Sequence, residues 1–480
     1  MPDLHVETGN MITWVDGVNE IPWDVETDVL VIGGGGCGMV ASLAAAEVGA
    51  RVLLVEKESR VGGNTSLSQG MIPAAGSILQ KKAGVDDSPE QMAKDILEKN
   101  QFQSDPALTL RIAQESASLV DWLVDKLNVQ LTLVTNFLYP GHTKHRVHAP
   151  STKKGVQLVN RFLELIKSNP NIDIAYRAPA VGLVATRSNG AVVGATVDIR
   201  GVGLNRARAA RTILALNGFG ANREMLARYI PDMADAYYFG HEGNTGEGIR
   251  WGEALGAALL HMDAYQAHGS VAYPEGTLLT WASISLGGYQ INLHGLRFVN
   301  ESHGYSEHAL HVLAQPKGIA FAVFDQRIFD EIRDFEDFQQ CLAMSAVKKF
   351  DSIEDAADKF GINRENFLAT HEAFQKAAAG ELPDPLGRPS TGTPLKPPFY
   401  VVRVTGALFH TQGGLKINER AEVVRMDGST IPNLYAGGGT AVGLSGRGAA
   451  GYLSCNGLLA ALVLGKIAGQ CAGIAAITSQ

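Results

Sequence analysis

Four apolar β-formers, Val29-Leu-Val-Ile32, run without a polar break into a glycine-rich turn at residues 33–38, and an alanine-rich apolar stretch follows from Met39 to Val48. A second unbroken run, Val52 to Val55, ends on Glu56. Apolar runs of this length without alternation are strands covered on both faces, so the segment reads as strand, tight turn, buried helix and parallel strand. Leu110, Ala113, Ala117, Val120, Leu123, Val124 and Leu127 recur at helical spacing and predict a helix over 106–128, preceded by one over 89–100. Further amphipathic patterns predict helices over 155–168, 352–360 and 364–379. Strands are predicted over 172–176, 180–186, 191–199 and 209–216. The most apolar stretch, Gly457 to Ile474, is broken by Lys466 and Gln470, a mixture that suits a helix buried in protein better than one crossing a bilayer. Residues 1–27 show no sustained period and read as an extension over the first domain.

The turn carries chemistry. Gly33, Gly35 and Gly38 form G-x-G-x-x-G between a strand and a helix, with Gly36 inside it, the context in which a pyrophosphate sits on unpaired helix N–H groups. Glu56 closes the second strand, where an acid accepts hydrogen bonds from a ribose diol. A dinucleotide is therefore expected.

Composition narrows the picture. The 480 residues are 45% hydrophobic and 19% charged with a net charge of −8, and no Lys/Arg-rich run occurs, so nucleic acid is a poor partner. Cys37, Cys341, Cys455 and Cys471 are scattered, without metal-knuckle or haem spacing. His142, His145 and His148 lie close together, but no carboxylate or cysteine completes a metal set, and they read as a basic loop near the cofactor or entrance. Reduced thiols and an N-terminus without basic and apolar blocks lead to the expectation of a cytoplasmic protein.

The segment Glu56-Lys57 through Gly62-Gly63-Asn64-Thr65-Ser66 resembles the FAD-binding segment of the fumarate reductase and 3-ketosteroid dehydrogenase superfamily. The resemblance extends from Asp28 to about Ala472. It implies an α/β fold in which a Rossmann-like FAD-binding domain carries an inserted α+β capping domain. The expected bounds are 1–266 for the first part of the FAD domain, 267–396 for the cap and 397–480 for the second part. The prolines from Pro383 to Pro398 mark the return. FAD contacts are implied at Lys57, Gly62, Gly63, Asn64, Thr65 and Ser66, at Ala180 and Val181, at Asn217 and Gly218, where the family has A-x-G-G-F, and at Gly438, Asn456 and Leu458. Thr245-Gly-Glu247-Gly resembles the T-G-[DE]-G helix start, where the acid caps the first turn. Succinate dehydrogenases carry a flavin-linking His where Asn64 stands, so non-covalent FAD is expected.

Reaction residues follow from the same resemblance. Gln266-Ala-His268 is similar to the reductase Q-A-H, and His410-Thr-Gln-Gly-Gly414 to H-x-x-G-G, whose histidines bind substrate. The charged groups of those reductases are replaced. Their proton-donating Arg falls on Tyr305, a relay Glu and Arg on Trp281 and Ile284, and a clamping Arg on Tyr452. A dicarboxylate needs buried cations, so fumarate is disfavoured. Asn300-Glu-Ser-x-x-Tyr305 is similar to the N-E-S-x-x-Y of 3-ketosteroid dehydrogenases, and Tyr452-x-Ser454 to their Y-x-S. The expected reaction is desaturation of a cyclic ketone, steroid-like or smaller, or the reverse enone reduction. Tyr305 is the expected base that removes the α-proton, Tyr452 the carbonyl donor, and Trp281 and Ser454 substrate contacts. An unknown electron donor or acceptor completes the cycle. A reductase of another unsaturated acid, held by His268, His410 and Arg447, is the enzyme alternative, and a non-catalytic flavin-binding redox protein is the other. Arg447 stays open between an acid-binding and a surface role.

Overall fold

The unbroken apolar runs become the centre of a parallel sheet. The computed structural model describes residues 11–136, 138–389 and 391–478. Residues 1–10, on which the expectation of a leaderless N-terminus drew, lie outside the described residues. Val25–Ile32 is flanked in parallel by Val52–Glu56 and Gly203–Leu214, with Val29 opposite both Val52 and Arg211. Ile172–Tyr176 extends the sheet on one side. The late strand Thr430–Ala436 joins the end of Gly203–Leu214 in parallel, so both ends of the chain build one sheet. An antiparallel meander of Ala180–Thr186 and Val192–Ile199 leads into Gly203–Leu214. The expected extension is not merely draped over this domain, because Ile12–Val15 adds a parallel strand beside Leu183–Thr186.

The apolar C-terminal helix, Asn456–Ile477, has the length and composition of a membrane span, yet it packs along the first helix, Gly36–Glu47. The approach is close enough that a Cβ on Gly465 would lie 2.5 Å from the Cys37 carbonyl oxygen, and one on Gly469 2.3 Å from that of Ala41. Small residues on both helices bring two backbones together, which is why neither shows an amphipathic period. Lys466 is buried but reaches Ser118 Oγ at 2.9 Å and Glu115 at 3.4 Å. The helix predicted over 106–128 ends its regular part at Asp121 and finishes in a wider π-type turn, Trp122–Lys126.

The second sheet is built on Phe399–Thr411. This strand pairs antiparallel with Tyr265–Ala272 and with Ile319–Asp325, and Tyr289–Ile291 lies beyond the latter. Segments from both sides of the expected 266/267 and 396/397 boundaries thus share one sheet. Phe321, Phe324, Phe338, Phe367 and Phe374 fill its separate apolar core.

A buried ion network fixes the connection to Tyr305. Arg297 contacts both oxygens of Glu301, at 2.9 and 2.7 Å, and also pairs with Asp384, while Arg388 lies 3.6 Å from Glu301. Asn300 Oδ1 caps the next turn by accepting from Ser302 N–H at 3.0 Å. Gly304, at φ 135°, then starts the helix Tyr305–Leu313.

Candidate active site

An open cleft with about 1340 Å³ of empty space runs from the glycine turn to His410 and Thr411 on the long strand of the second sheet. Its floor is the glycine turn. Gly33 has φ 107°, and a Cβ on Gly38 would stand 1.9 Å from the Gly33 carbonyl oxygen, so neither position accepts a side chain without moving backbone. Nothing lies within 4 Å of a Cβ on Gly35, which as the N-cap brings no side chain of its own, while the next N–H, that of Gly36, donates to Thr65 Oγ1 at 3.1 Å. Open space in front of the helix N-terminus, at the Gly35 position, fits a diphosphate. Glu56 accepts from Gly34 N–H at 2.7 Å and from Glu58 N–H at 2.8 Å, which fixes its carboxylate at the cleft edge with lone pairs left for a diol.

The remaining expected cofactor residues divide into lining and supporting positions. Gly33, Gly35, Gly36, Glu56, Lys57, Gly63, Asn64, Thr65, Ala180, Asn217, Gly438 and Leu458 line the cleft. Gly38, Gly62, Ser66, Val181, Gly218 and Asn456 are not part of the lining. Asn456 is fully buried with both amide atoms unpartnered. Asn64 ties the loop down: its Oδ1 accepts from His241 N–H at 2.7 Å and Asn244 Nδ2 at 3.0 Å. Asn217 occupies the family's small-residue position in a left-handed conformation, φ 69°, with its own Oδ1 accepting from Gly218 N–H at 2.9 Å. Asn tolerates that region better than other side chains. Glu247 stands in the first turn of its helix, pairs with Lys57 Nζ at 3.1 Å and leaves Oε2 buried without a partner in the cleft wall, an acceptor suited to a cofactor hydroxyl. The site therefore fits FAD on this chain's own geometry.

Past Thr411 the character changes to aromatic. Tyr305 stacks on His268 with ring centroids 4.7 Å apart and meets Tyr452 edge-on at 6.1 Å. His410 lies 5.8 Å from Tyr452, and Trp281 lies 5.7 Å from His268 and 6.3 Å from Tyr305. Tyr452 Oη accepts from Gly457 N–H at 3.3 Å, so a phenol and a backbone donor share one point at the start of the C-terminal helix. Ser454 reaches the Pro140 carbonyl at 3.4 Å and is also the hydroxyl that hydrogen-bonds Tyr305. Five distant segments thus bring together Tyr305, Tyr452, His268, His410, Trp281 and Ser454. Arg447 is not brought there. Its guanidinium pairs with Asp263 at 2.9 Å on the surface.

Strand irregularity aims these side chains. Opposite Gln266 stands His410, but opposite Ala267 stands Leu408, so Phe409 is an extra residue in a bulge. It stacks on His268 at 5.5 Å and on Phe239 at 4.8 Å. A second shift follows His268, which therefore sits between two irregularities. The sequence reading missed Phe409, as well as Gln412, whose amide reaches His410 Nδ1 at 3.0 Å, and Tyr139 and Cys455 beside Tyr305. Only the adjacency of Phe409 and Gln412 to His410 could have marked them.

Burial sets the electrostatics. It lowers the pKa of His268 to about 3 and that of His410 to about 4, so both imidazoles are neutral. Burial, reinforced by neighbouring Tyr452 and Cys455, raises the Tyr305 phenol well above its ordinary value, against the pull of Ser454. The Lys and Arg lining the cleft, Lys57 and Arg60, both follow Glu56 on the nucleotide loop. Among the described residues no group of three His, Cys, Asp or Glu could hold a metal. His142 and His148 bond instead to the Ser454 carbonyl at 2.9 Å and to Ser77 Oγ at 2.7 Å.

A family model described as FAD binding domain matches residues 28–452. The chain belongs to that family. It is an FAD-dependent oxidoreductase of the CH–CH class, whose relatives are reductases and dehydrogenases acting on carbon–carbon double bonds. One is a probable fumarate reductase of Shewanella frigidimarina, 29% identical over 447 residues, 92% of this chain and 74% of the relative. Among solved structures, the open conformation of a flavocytochrome c3 fumarate reductase superposes with TM-score 0.80 at 29% identity, covering 95% of this chain and 79% of that one. The 3-ketosteroid-Δ4-(5α)-dehydrogenase of Rhodococcus jostii RHA1 in complex with 4-androstene-3,17-dione superposes with TM-score 0.76 at 25% identity, covering 96% and 99%. The FAD-binding domain fold and the superfamily expected from the sequence are thereby established.

Proposed function

We propose that this flavoenzyme interconverts a cyclic ketone and its α,β-unsaturated enone, with non-covalent FAD and a separate electron partner. The observation that carries the reading is the facing pair Tyr305 and Tyr452, with Tyr452 Oη joined to Gly457 N–H, where the acid reductases have charged groups. FAD, once bound, supplies N5 as the hydride-transferring atom. A ketone oxygen placed between Tyr452 Oη and Gly457 N–H meets two donors that strengthen as it gains enolate charge. Tyr305 then moves a proton to or from the α-carbon on the hydroxyl side facing Tyr452.

The neutral phenol favours one direction. Burial keeps Tyr305 protonated, so the resting site holds a loaded proton donor. In enone reduction two electrons arrive as hydride on the β-carbon, the Tyr305 proton goes to the α-carbon, and the carbonyl reforms as the enolate collapses. Desaturation reverses each step and needs Tyr305 to ionise. His268 and Trp281 supply flat, uncharged walls suited to a hydrophobic ring. Asn64 engages its amide in three polar contacts and has no nucleophilic nitrogen for a flavin link, which supports dissociable FAD.

A second reading, reduction of an unsaturated carboxylic acid, draws on the unpartnered His268 Nδ1 and on the fumarate reductase relatives. Against it stands the neutrality of both histidines. The deciding experiment is anaerobic flavin absorbance: dithionite-reduced protein is mixed with 2-cyclohexenone, 4-androstene-3,17-dione or fumarate. Reoxidation by an enone, slowed about 100-fold or more in Tyr305→Phe, is expected. Reoxidation by fumarate alone overturns the proposal and establishes the acid reading.

A further inference from the structure

We propose that His142 is a positioning residue for proton transfer, holding the Ser454 hydroxyl against Tyr305 through the backbone of Ser454; this rests on the ketone/enone reading above. The loop after Tyr139 clasps Ser454 from two sides. Ser454 Oγ–H donates to the Pro140 carbonyl at 3.4 Å, and the Ser454 carbonyl accepts from His142 Nε2–H at 2.9 Å. A carbonyl only accepts, so the proton of the neutral imidazole lies on Nε2. His142 Nδ1 is then a bare acceptor, and it is buried without a partner. Burial is the main reason the ring stays neutral, with Arg146 acting in the same sense and the Ser454 carbonyl and Asp95 opposing; the pKa falls to about 4.

The clasp is built on a rigid base. Arg146 is fully buried, gripped by Asp87 through two bonds of 3.0 Å and by Asp95 at 2.8 Å. Asp95 also accepts from Thr143 N–H at 3.0 Å and Thr143 Oγ1 at 2.7 Å, next in sequence to His142. A Cβ on Gly141 would stand 2.4 Å from Leu453 Cδ1, so the loop lies directly on the segment it holds. That segment needs holding, because Cys455 follows in a left-handed conformation, φ 69°, at the start of the C-terminal helix.

Ser454 Oγ has one proton and two bonding neighbours. While Tyr305 is neutral, the Ser454 proton is donated to Pro140. When Tyr305 gives its proton to the α-carbon, the Ser454 proton can swing to the phenolate, giving up only the 3.4 Å bond. Without the His142 N–H, the Ser454 carbonyl is buried and unpaired, the turn relaxes, and the hydroxyl leaves Tyr305.

The test uses FAD-loaded protein, reduced with dithionite and mixed anaerobically with 2-cyclohexenone between pH 6 and 10, for the wild type, His142→Phe and His142→Gln. The Gln side-chain amide places an N–H near the position of Nε2. In His142→Phe the reoxidation rate constant at saturating enone is expected to fall about ten-fold or more, with half-saturation changed less than about three-fold. The alkaline limb of its pH profile shifts upward, because Tyr305 loses the hydroxyl that opposes burial, Tyr452, Cys455 and Tyr139. His142→Gln restores rate and profile to within about three-fold, with flavin content equal in all three proteins. Wild-type rate and profile in His142→Phe overturn the inference, as does an equal loss in both variants. A wild-type protein that no enone reoxidises overturns the functional reading and this inference with it, a result distinct from the other two.

Discussion

The two ends of the cleft are made in different ways. The nucleotide end is made of backbone: contiguous glycines whose missing side chains open the helix N-terminus, with Glu56 tied to Gly34 N–H at 2.7 Å. The reaction end is made of side chains from five segments, and its rings pack against one another at 4.7 to 6.3 Å. The first admits no added atom at Gly33 or Gly38 and binds the group common to the family. The second is held by ring-to-ring packing and presents the phenols and imidazoles on which the proposed chemistry rests. Damage to the first should remove the cofactor, and damage to the second should leave a flavoprotein without its reaction.

The largest expected effect is at the backbone end. Gly38→Ala places a methyl group 1.9 Å from the Gly33 carbonyl oxygen, and the purified variant should contain almost no flavin by its absorbance near 450 nm. Full flavin content would mean that the turn is softer than its geometry indicates. At the other end Tyr452→Phe removes one of two carbonyl donors and should slow enone-driven reoxidation by about 100-fold while flavin content stays at the wild-type level. A parallel loss of flavin would erase the contrast between the ends.

Acid should act through the buried imidazoles. His142, His148, His371 and His410 have pKa values lowered to about 4, and His268 and His308 to about 3, with burial the leading cause in each. The unfolded chain, with histidines near ~6.5, binds more protons than the folded one between those values, so stability is complete above about 6.5 and falls as the pH drops toward 4. The melting temperature should decline steadily over that window, and a flat profile would show that water reaches the aromatic end. The smallest expected effect belongs to Arg447→Ala. Its pair with Asp263 is exposed, so rate and half-saturation should change by less than about two-fold. A large rise in half-saturation confined to acid substrates would instead revive the carboxylate reading.

Much of the fold was legible because its signals are local. The strand, glycine turn and helix at 29–48 need only neighbours in sequence, and the strands at 172–176 and 180–186 were placed to the residue. The extent of the second sheet was not legible, since Phe399–Thr411 looks like any return strand until its partners on both sides are known. At the site, Tyr305 was legible from its phase after Arg297 and Glu301, eight and four residues before it, which form a buried ion pair. Phe409 was not, because a strand pattern assigns consecutive residues to opposite faces and only a bulge brings both Phe409 and His410 toward one pocket.

Sequence alone therefore determined the cofactor class and the kinds of side chain available for proton transfer, because backbone turns and residue chemistry are properties of short segments. Tertiary structure decided the rest. It put Arg447 on the surface, held His268 and His410 neutral, kept the Tyr305 phenol protonated and set His142 behind Ser454. Each of those depends on which groups surround a side chain and exclude water from it, and burial of that kind is created only when segments hundreds of residues apart are packed together.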